Sequence, residues 1–194
     1  MKKHCDVYIQ SSKNFYCQPR FLIGGFVNTL YTYNQDDDLA INDKTLFEKF
    51  VDHAEKFPNY VIGWNGRIFS KDINWDKAYQ SPGKGWIDSM LGIGSIDMIN
   101  VGVSFYRTAL VNQIPINPFQ SDTVKISEEE YKYADDIWIS YWLTLKRTMP
   151  FQLLDHYDWL NEYEEREAAL SKQPHHMDIR NKICKDLFYG KYSK

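Results

Sequence analysis

The sequence predicts an α/β fold, in which helices cover both faces of a mostly parallel central sheet. Short apolar runs typical of strands alternate along the chain with segments whose apolar residues recur every three or four positions, as on one face of a helix. This alternation makes a layered α/β sandwich the natural architecture. The length of 194 residues is that of a single domain, which either stands alone or forms one part of a longer protein.

The predicted strands are short runs rich in β-branched and aromatic residues. They cover residues 7–9, 30–34, 60–63, 66–69, 98–106 and 151–154. The run MINVGVSFY at 98–106 is the best candidate for a buried strand. The run at 66–69 either continues the strand before it or pairs with it.

The predicted helices carry apolar stripes of helical period. They cover residues 20–30, 45–57, 107–111, 134–145, 162–170 and 176–188. The helix at 134–145 has the clearest period, whereas Gly24 and Gly25 weaken the helix at 20–30. Asn42 or Asp43 can cap the helix at 45–57. Polar segments at 70–84 and 114–127 are predicted as loops.

The composition excludes several classes of protein. A formal net charge of -3 gives no long-range attraction for a polyanion, so we expect no nucleic-acid partner. Three cysteines form no CxxC pair and no even disulfide set, which suits a reducing compartment. Neither a signal peptide nor a membrane-spanning run is recognisable, so we expect a cytoplasmic protein without a membrane span.

Three consecutive carboxylates are the first candidate site. Asp36, Asp37 and Asp38 directly follow the apolar strand predicted at 30–34, and open α/β sheets bind ligands at the carboxyl ends of their strands. Mutual repulsion of the three charges is relieved by a hard divalent cation, Mg²⁺ or Mn²⁺, which prefers oxygen ligands and diphosphate. A solvated turn that caps the next helix is an equally good explanation of the triplet alone.

A second acidic pair, Asp135 and Asp136, begins the clearest helix. The helix dipole and the free N–H groups there stabilise carboxylates, so capping explains one of the two. The other carboxylate exceeds that need and is well placed to act on a sugar hydroxyl.

His176 and Arg180 form the third candidate site. Their spacing of four residues puts them on one face of the last helix, together with Ile183 and Leu187. An inward-facing arginine needs an anionic partner, which is either a ligand diphosphate or an internal Asp or Glu. Asn14 and Arg20 are weaker candidates for contacts to a nucleobase or ribose, and Gly63 and Gly66 for a close backbone approach.

Taken in order, these motifs resemble the GT-A glycosyltransferases, in particular the small domains of exostosin-like enzymes and of large algal viruses. The matching pieces cover roughly residues 10–188 and read SSKNFYCQPRF, YNQDDDL, YVIGWNGRIF, INVGVSFY, YADDIWISYWL and HHMDIRNKIC. The resemblance implies a minimal GT-A α/β/α sandwich, a UDP-sugar donor, and a glycan or glycoprotein acceptor. Members of the family usually have further β-α units before the acidic triplet, whereas only 35 residues precede Asp36 here.

The resemblance also implies roles for individual residues. Asp38 would be the most direct ligand of Mn²⁺ or Mg²⁺, with Asp36 and Asp37 at the metal, ribose or sugar. Asp135 and Asp136 would be the catalytic pair beside the reacting sugar. The remaining residues would bind the nucleotide-sugar: Asn14 and Arg20 at the uracil end, Gly102 beside the donor sugar, and His176 and Arg180 over the diphosphate.

Two rival functions share some of these features. A metal-dependent nucleotidyltransferase or phosphohydrolase predicts a two-metal cluster that unites Asp36 or Asp38 with Asp135 or Asp136. A carbohydrate-binding module would stack aromatic rings on sugars and bind Ca²⁺ at the triplet. The search for other chemistries is negative, since the sequence contains no GxxxxGK[ST], GxGxxG, GxSxG or HExxH motif.

Overall fold

A computed structural model describes most of the regular elements of the chain. The described residues are 8, 10–12, 19–22, 26–36, 39–63, 66–69, 72–79, 86–87, 96–111, 127–146, 151–153, 160–162 and 172–192. The helices are α1 (Pro19–Leu22), α2 (Leu46–Lys56), α3 (Thr108–Val111), α4 (Glu128–Tyr131), α5 (Asp135–Lys146) and α6 (His176–Tyr192). The strands are β1 (Tyr31–Gln35), β2 (Leu39–Ile41), β3 (Val61–Gly63), β4 (Gly66–Arg67), β5 (Trp86–Ile87), β6 (Met98–Ile99), β7 (Val103–Arg107), β8 (Phe151–Leu153) and β9 (Leu160–Glu162).

The central sheet has four strands in the order β1-β7-β3-β8. Strand β7 is antiparallel to both β1 and β3, and β8 is parallel to β3. Strands β2 and β9 form a separate antiparallel pair, and β5-β4-β6 form a third, antiparallel sheet. The α/β class is thus confirmed, whereas the predicted mostly parallel sheet is not: among the described pairings only β3 with β8 is parallel. The reason is that β7 is inserted between β1 and β3 and runs opposite to them, a direction that an apolar run does not encode.

Helices cover both faces of this sheet because the side chains of β7 alternate between two apolar clusters. Val103 and Phe105 point to the side of α2, whose buried residues Leu46, Phe50 and Ala54 complete that cluster. Tyr106 belongs to the opposite cluster, to which α5 and α6 contribute most of the helical residues. The side chains of successive strand residues point to opposite faces, so a strand covered on both sides is apolar throughout.

The run at 98–106 is interrupted rather than continuous. Met98 and Ile99 pair in the β5-β4-β6 sheet, whereas β7 begins only at Val103. Between them the Asn100 side chain accepts a hydrogen bond from the backbone N–H of Gly102 at 2.8 Å, a pattern that favours a turn. Strands β3 and β4 also belong to different sheets. The run at 66–69 therefore neither continues the strand at 60–63 nor pairs with it.

Other predicted elements differ mainly at their ends. Helices α2, α5 and α6 and strands β1 and β8 lie within a few residues of their predicted bounds. Of the helix predicted at 20–30, the structure shows α1, residues 23–25 lie outside the described residues, and residues 27–30 are not helical. Of the helix predicted at 162–170, Glu162 ends a strand and the remainder lies outside the described residues. No helix in the described part of the chain combines the length and apolarity required to cross a membrane.

Candidate functional site

Asp36 lies at the carboxyl end of β1, on the edge of the central sheet where its neighbour β7 begins. Its backbone N–H donates a hydrogen bond to the carbonyl oxygen of Gly102 at 2.8 Å, which extends the β1–β7 ladder by one pair. The backbone of Asp36 is therefore fixed against the turn at 101–102. Asp37 and Asp38, which follow it, lie outside the described residues, as does Asn14.

Arg20 holds the side chain of Asp36. Its Nη1 lies 2.8 Å from Oδ1 of Asp36 and donates to the carbonyl oxygen of Val101 at 3.1 Å. The next residue, Phe21, is buried in the same apolar cluster as Val101 and anchors α1 beside the turn. The structure thus directs the Arg20 guanidinium onto Asp36 and the turn.

Gly102 makes room for the Asp36 carboxylate. A Cβ built at Gly102 would lie 2.8 Å from Oδ2 of Asp36 and 3.1 Å from Oδ1 of Asn100, both closer than ordinary contacts. Carboxylate and amide oxygens converge here, and such oxygens are the ligands that Mg²⁺ and Mn²⁺ prefer. The donor chemistry therefore fits a hard divalent cation, with Oδ1 of Asp36 already bound to Arg20. We call Arg20, Asp36, Asn100, Val101 and Gly102 the Asp36 site.

Among the residues that the structure describes, no group of three His, Cys, Asp or Glu side chains is arranged to hold a metal ion. Two of the three predicted carboxylates, Asp37 and Asp38, lie outside those residues. The predicted metal site is therefore represented in the structure by Asp36 alone.

The other predicted residues meet in a second, buried group around the start of α5. Asp136 binds Arg180 of α6 through Oδ1, which also accepts the backbone N–H of Ile137 at 2.8 Å. Its Oδ2 accepts a hydrogen bond from the hydroxyl of Tyr79 at 3.2 Å. Asp135 is the looser of the two carboxylates, with Oδ1 3.8 Å from Nη1 of Arg180. Arg180 thus has internal anionic partners, one of the two possibilities that its position in the sequence left open.

The ring of Tyr79 lies under two guanidinium groups. Those of Arg180 and Arg67 are each centred 4.0 Å from the ring centroid, and Arg67 also donates to the carbonyl oxygen of Ala78 at 2.9 Å. Cation–π contacts between desolvated groups contribute about 2 kcal/mol or more, and Arg67 is only 1% exposed. We call Arg67, Tyr79, Asp135, Asp136 and Arg180 the charged cluster.

The charges of the cluster balance. The cluster contains two arginines and two aspartates, so its formal charges sum to zero, and Arg180 contacts both carboxylates. Burial raises the pKa of the Asp136 carboxyl, and the Arg180 guanidinium opposes that rise. Burial lowers the pKa of Arg67 to about 10, so its guanidinium stays charged at neutral pH.

His176, the first residue of α6, is buried beside this cluster. Its imidazole contacts the rings of Tyr133 and Tyr79 edge to face, with centroids 5.7 and 6.5 Å apart. Asn181 on the same helix accepts the backbone N–H of Tyr79 at 2.8 Å. The amino-terminal half of α6 therefore holds the segment that carries Tyr79.

Arg67 and Tyr79 were not among the residues predicted from the sequence. Arg67 could have been recognised from the sequence, since it is a charged residue in the strand predicted at 66–69, and a buried arginine requires partners. Tyr79 could not have been recognised, because it lies in a polar segment predicted as a loop.

Helix α5 connects the two groups. Its Ser140 accepts the backbone N–H of Ile99 at 3.0 Å, directly before the turn that carries Asn100 and Gly102. In each group an arginine already binds a carboxylate, Arg20 with Asp36 and Arg180 with Asp136. The described residues thus contain two separate arginine–carboxylate contacts, whereas Asp38, which the two-metal alternative also offers as a ligand, lies outside them.

Comparison with models of known protein families and with curated proteins finds no significant match. The function is therefore inferred from the residues themselves.

Proposed function

We propose that this protein is a metal-dependent glycosyltransferase of the GT-A type, which transfers a sugar from a UDP-sugar to a hydroxyl of a glycan or glycoprotein. The observation that carries the proposal is the Asp36 site. The resemblance assigns Arg20, Asp36 and Gly102 to the binding of a nucleotide-sugar. These three residues meet at the carboxyl end of β1, a strand of the central sheet. Two further carboxylates follow Asp36 directly in the sequence.

The direction of the strands supports this choice of site. Strands β1 and β3 are both antiparallel to β7, and β8 is parallel to β3, so three of the four central strands run the same way. Ligands of open α/β sheets bind outside the carboxyl ends of such strands.

Asp38, with Asp36, would hold Mn²⁺ or Mg²⁺. When bound, the cation would neutralise the leaving diphosphate as a Lewis acid. The chain itself would supply positioning and charge, with Asn14 and Asp37 at the nucleoside or sugar. The buried free thiol of Cys184 supports a reducing compartment, and with it the expected cytoplasmic location.

We expect Asp38→Asn to abolish most of the metal-dependent binding of UDP. Removing one charge-assisted ligand should cost at least about 1.5–3 kcal/mol, which is about tenfold or more in affinity. Titration calorimetry with UDP, with and without Mn²⁺, measures the change. Asp52→Asn is the matched control, since Asp52 is an exposed aspartate on α2 and should leave UDP binding unchanged. Parental affinity in the Asp38→Asn variant would refute the metal assignment.

The same titrations separate the rivals. A carbohydrate-binding module would bind glycans and give no heat with UDP under any metal condition. A phosphohydrolase or nucleotidyltransferase would require Asp135 or Asp136 for metal binding, so that Asp135→Asn would lower Mn²⁺ affinity as strongly as Asp38→Asn.

Asp135→Asn is expected to reduce sugar transfer far more than it reduces UDP affinity. Asp135 is the less tightly bound carboxylate of the charged cluster, and a positioned acid or base contributes about 10²-fold or more to rate. Release of UDP from a panel of UDP-sugars measures transfer or donor hydrolysis, and calorimetry measures affinity. Asp136→Asn provides the comparison, since it removes charge from a carboxylate whose two oxygens bind three protein groups. If transfer and UDP affinity fell equally in both variants, the acidic pair would be structural.

A further inference from the structure

Arg20 connects two parts of the Asp36 site through one nitrogen atom. Its Nη1 reaches Oδ1 of Asp36 after β1 and the carbonyl oxygen of Val101 before β7. On the backbone, the N–H of Asp36 binds the carbonyl oxygen of Gly102 in the same turn. Asp36 is thus held at two points. Its carboxylate oxygen binds the Arg20 guanidinium, and its backbone N–H binds the turn.

Gly102 shows how closely the carboxylate is seated. A Cβ at position 102 would lie 2.8 Å from Oδ2 of Asp36, closer than an ordinary contact. A side chain at position 102 would therefore require the Asp36 carboxylate to shift.

The charge of Arg20 also matters for the triplet. Three adjacent carboxylates carry three negative charges, and a divalent cation balances two of them. One guanidinium bound to Asp36 balances the third, which reduces the repulsion that the triplet would otherwise impose on the end of β1.

We propose that Arg20 is a positioning residue that holds the Asp36 carboxylate against the turn at 101–102, rather than a contact to the uracil base. Its effect on nucleotide binding then acts through Asp36, and this consequence rests on the proposed function. The contact itself does not depend on any ligand.

A double-mutant cycle of Arg20→Gln and Asp36→Asn tests the proposal. Without ligand, the shifts in the urea midpoint of unfolding should be coupled, because either substitution alone breaks the same ion pair. With Mn²⁺, Arg20→Gln should weaken UDP binding about tenfold in the parent chain and less than about twofold in the Asp36→Asn chain. Arg20→Lys should restore much of the affinity, since an ammonium group can still bind the carboxylate.

Two further measurements exclude a merely structural explanation. Uridine lacks phosphates, so its affinity, measured by ligand-detected NMR, should be unchanged by Arg20→Gln. Gly102→Ala should weaken UDP binding in the same direction as Asp36→Asn but by less, since Oδ2 of Asp36 must shift to admit the Cβ. Equal losses for uridine and UDP, or additive effects around either cycle, would overturn the proposal. If the parent chain binds no UDP with Mn²⁺, the proposed function fails, whereas the unfolding cycle still decides whether Arg20 positions Asp36.

Discussion

Arg180→Ala should lower the free energy of unfolding by about 3–5 kcal/mol, the usual cost of removing one partner of a buried ion pair. Within the charged cluster, the substitution leaves Asp135 and Asp136 with Arg67 as the remaining positive charge, and it removes one cation–π contact from the Tyr79 ring. Asp136 raises the pKa of Arg180 against the opposing effect of burial, so the arginine is charged at every working pH. Urea denaturation without ligand measures the loss.

Lys182→Ala is the control for this variant. Lys182 lies two residues further along α6 and binds Glu130 and Asp186, but its side chain is exposed, and such pairs contribute less than about 1 kcal/mol. If Arg180→Ala kept parental stability and weakened UDP more than uridine, Arg180 would be the diphosphate contact predicted from the sequence. The expected result is the opposite, because the described geometry already satisfies Arg180 inside the protein.

Gly66→Ala should destabilise the protein by up to about 3 kcal/mol, the upper end of the usual range for overpacking. A Cβ at this position would clash with the backbone carbonyl oxygen of Met98 and with Cδ1 of Ile96, since both lie well inside the van der Waals contact distance. The side chain of Ile96 can move, but the Met98 carbonyl belongs to the strand that pairs with β4. The β4–β6 pairing must therefore open, and the urea midpoint measures the cost.

Gly190→Ala provides the matched control in α6. A Cβ there meets no atom within 4 Å, so the substitution should be neutral or stabilise the helix by up to about 1 kcal/mol. Equal effects of the two substitutions would contradict the close approach of β4 and β6.

The sequence was informative where a pattern depends on local chemistry. The period of Ala134, Ile137, Trp138 and Tyr141 predicted α5 because a helix presents residues three and four apart to one core, and those residues are buried or half-buried. The strand before Asp36 was predicted from its short run of aromatic and β-branched residues. The direction of β7 was missed, since apolar runs specify burial and leave strand order to the whole chain.

Several residues of the candidate site were also predictable from the sequence, whereas their contacts were not. Asp36, Asp135 and Arg180 were recognised because charges beside apolar runs require partners. Which partner each would have was not predictable: Arg20 was predicted at the nucleobase end, and the structure instead directs its guanidinium onto a carboxylate 16 positions along the chain. Tyr79 was missed because an aromatic residue in a polar segment gives no sign of the arginines that cover it.

The balanced charges of the charged cluster constrain how the sequence can vary over evolution. Replacing Arg67, Asp135, Asp136 or Arg180 alone leaves an unbalanced charge among residues that are each less than a tenth exposed. Changes that exchange an arginine and its aspartate together for apolar residues avoid that penalty. Among descendants of this gene, we therefore expect these four positions to stay unchanged together or to change in pairs of opposite charge. Exposed positions such as Lys182 should lack this covariation.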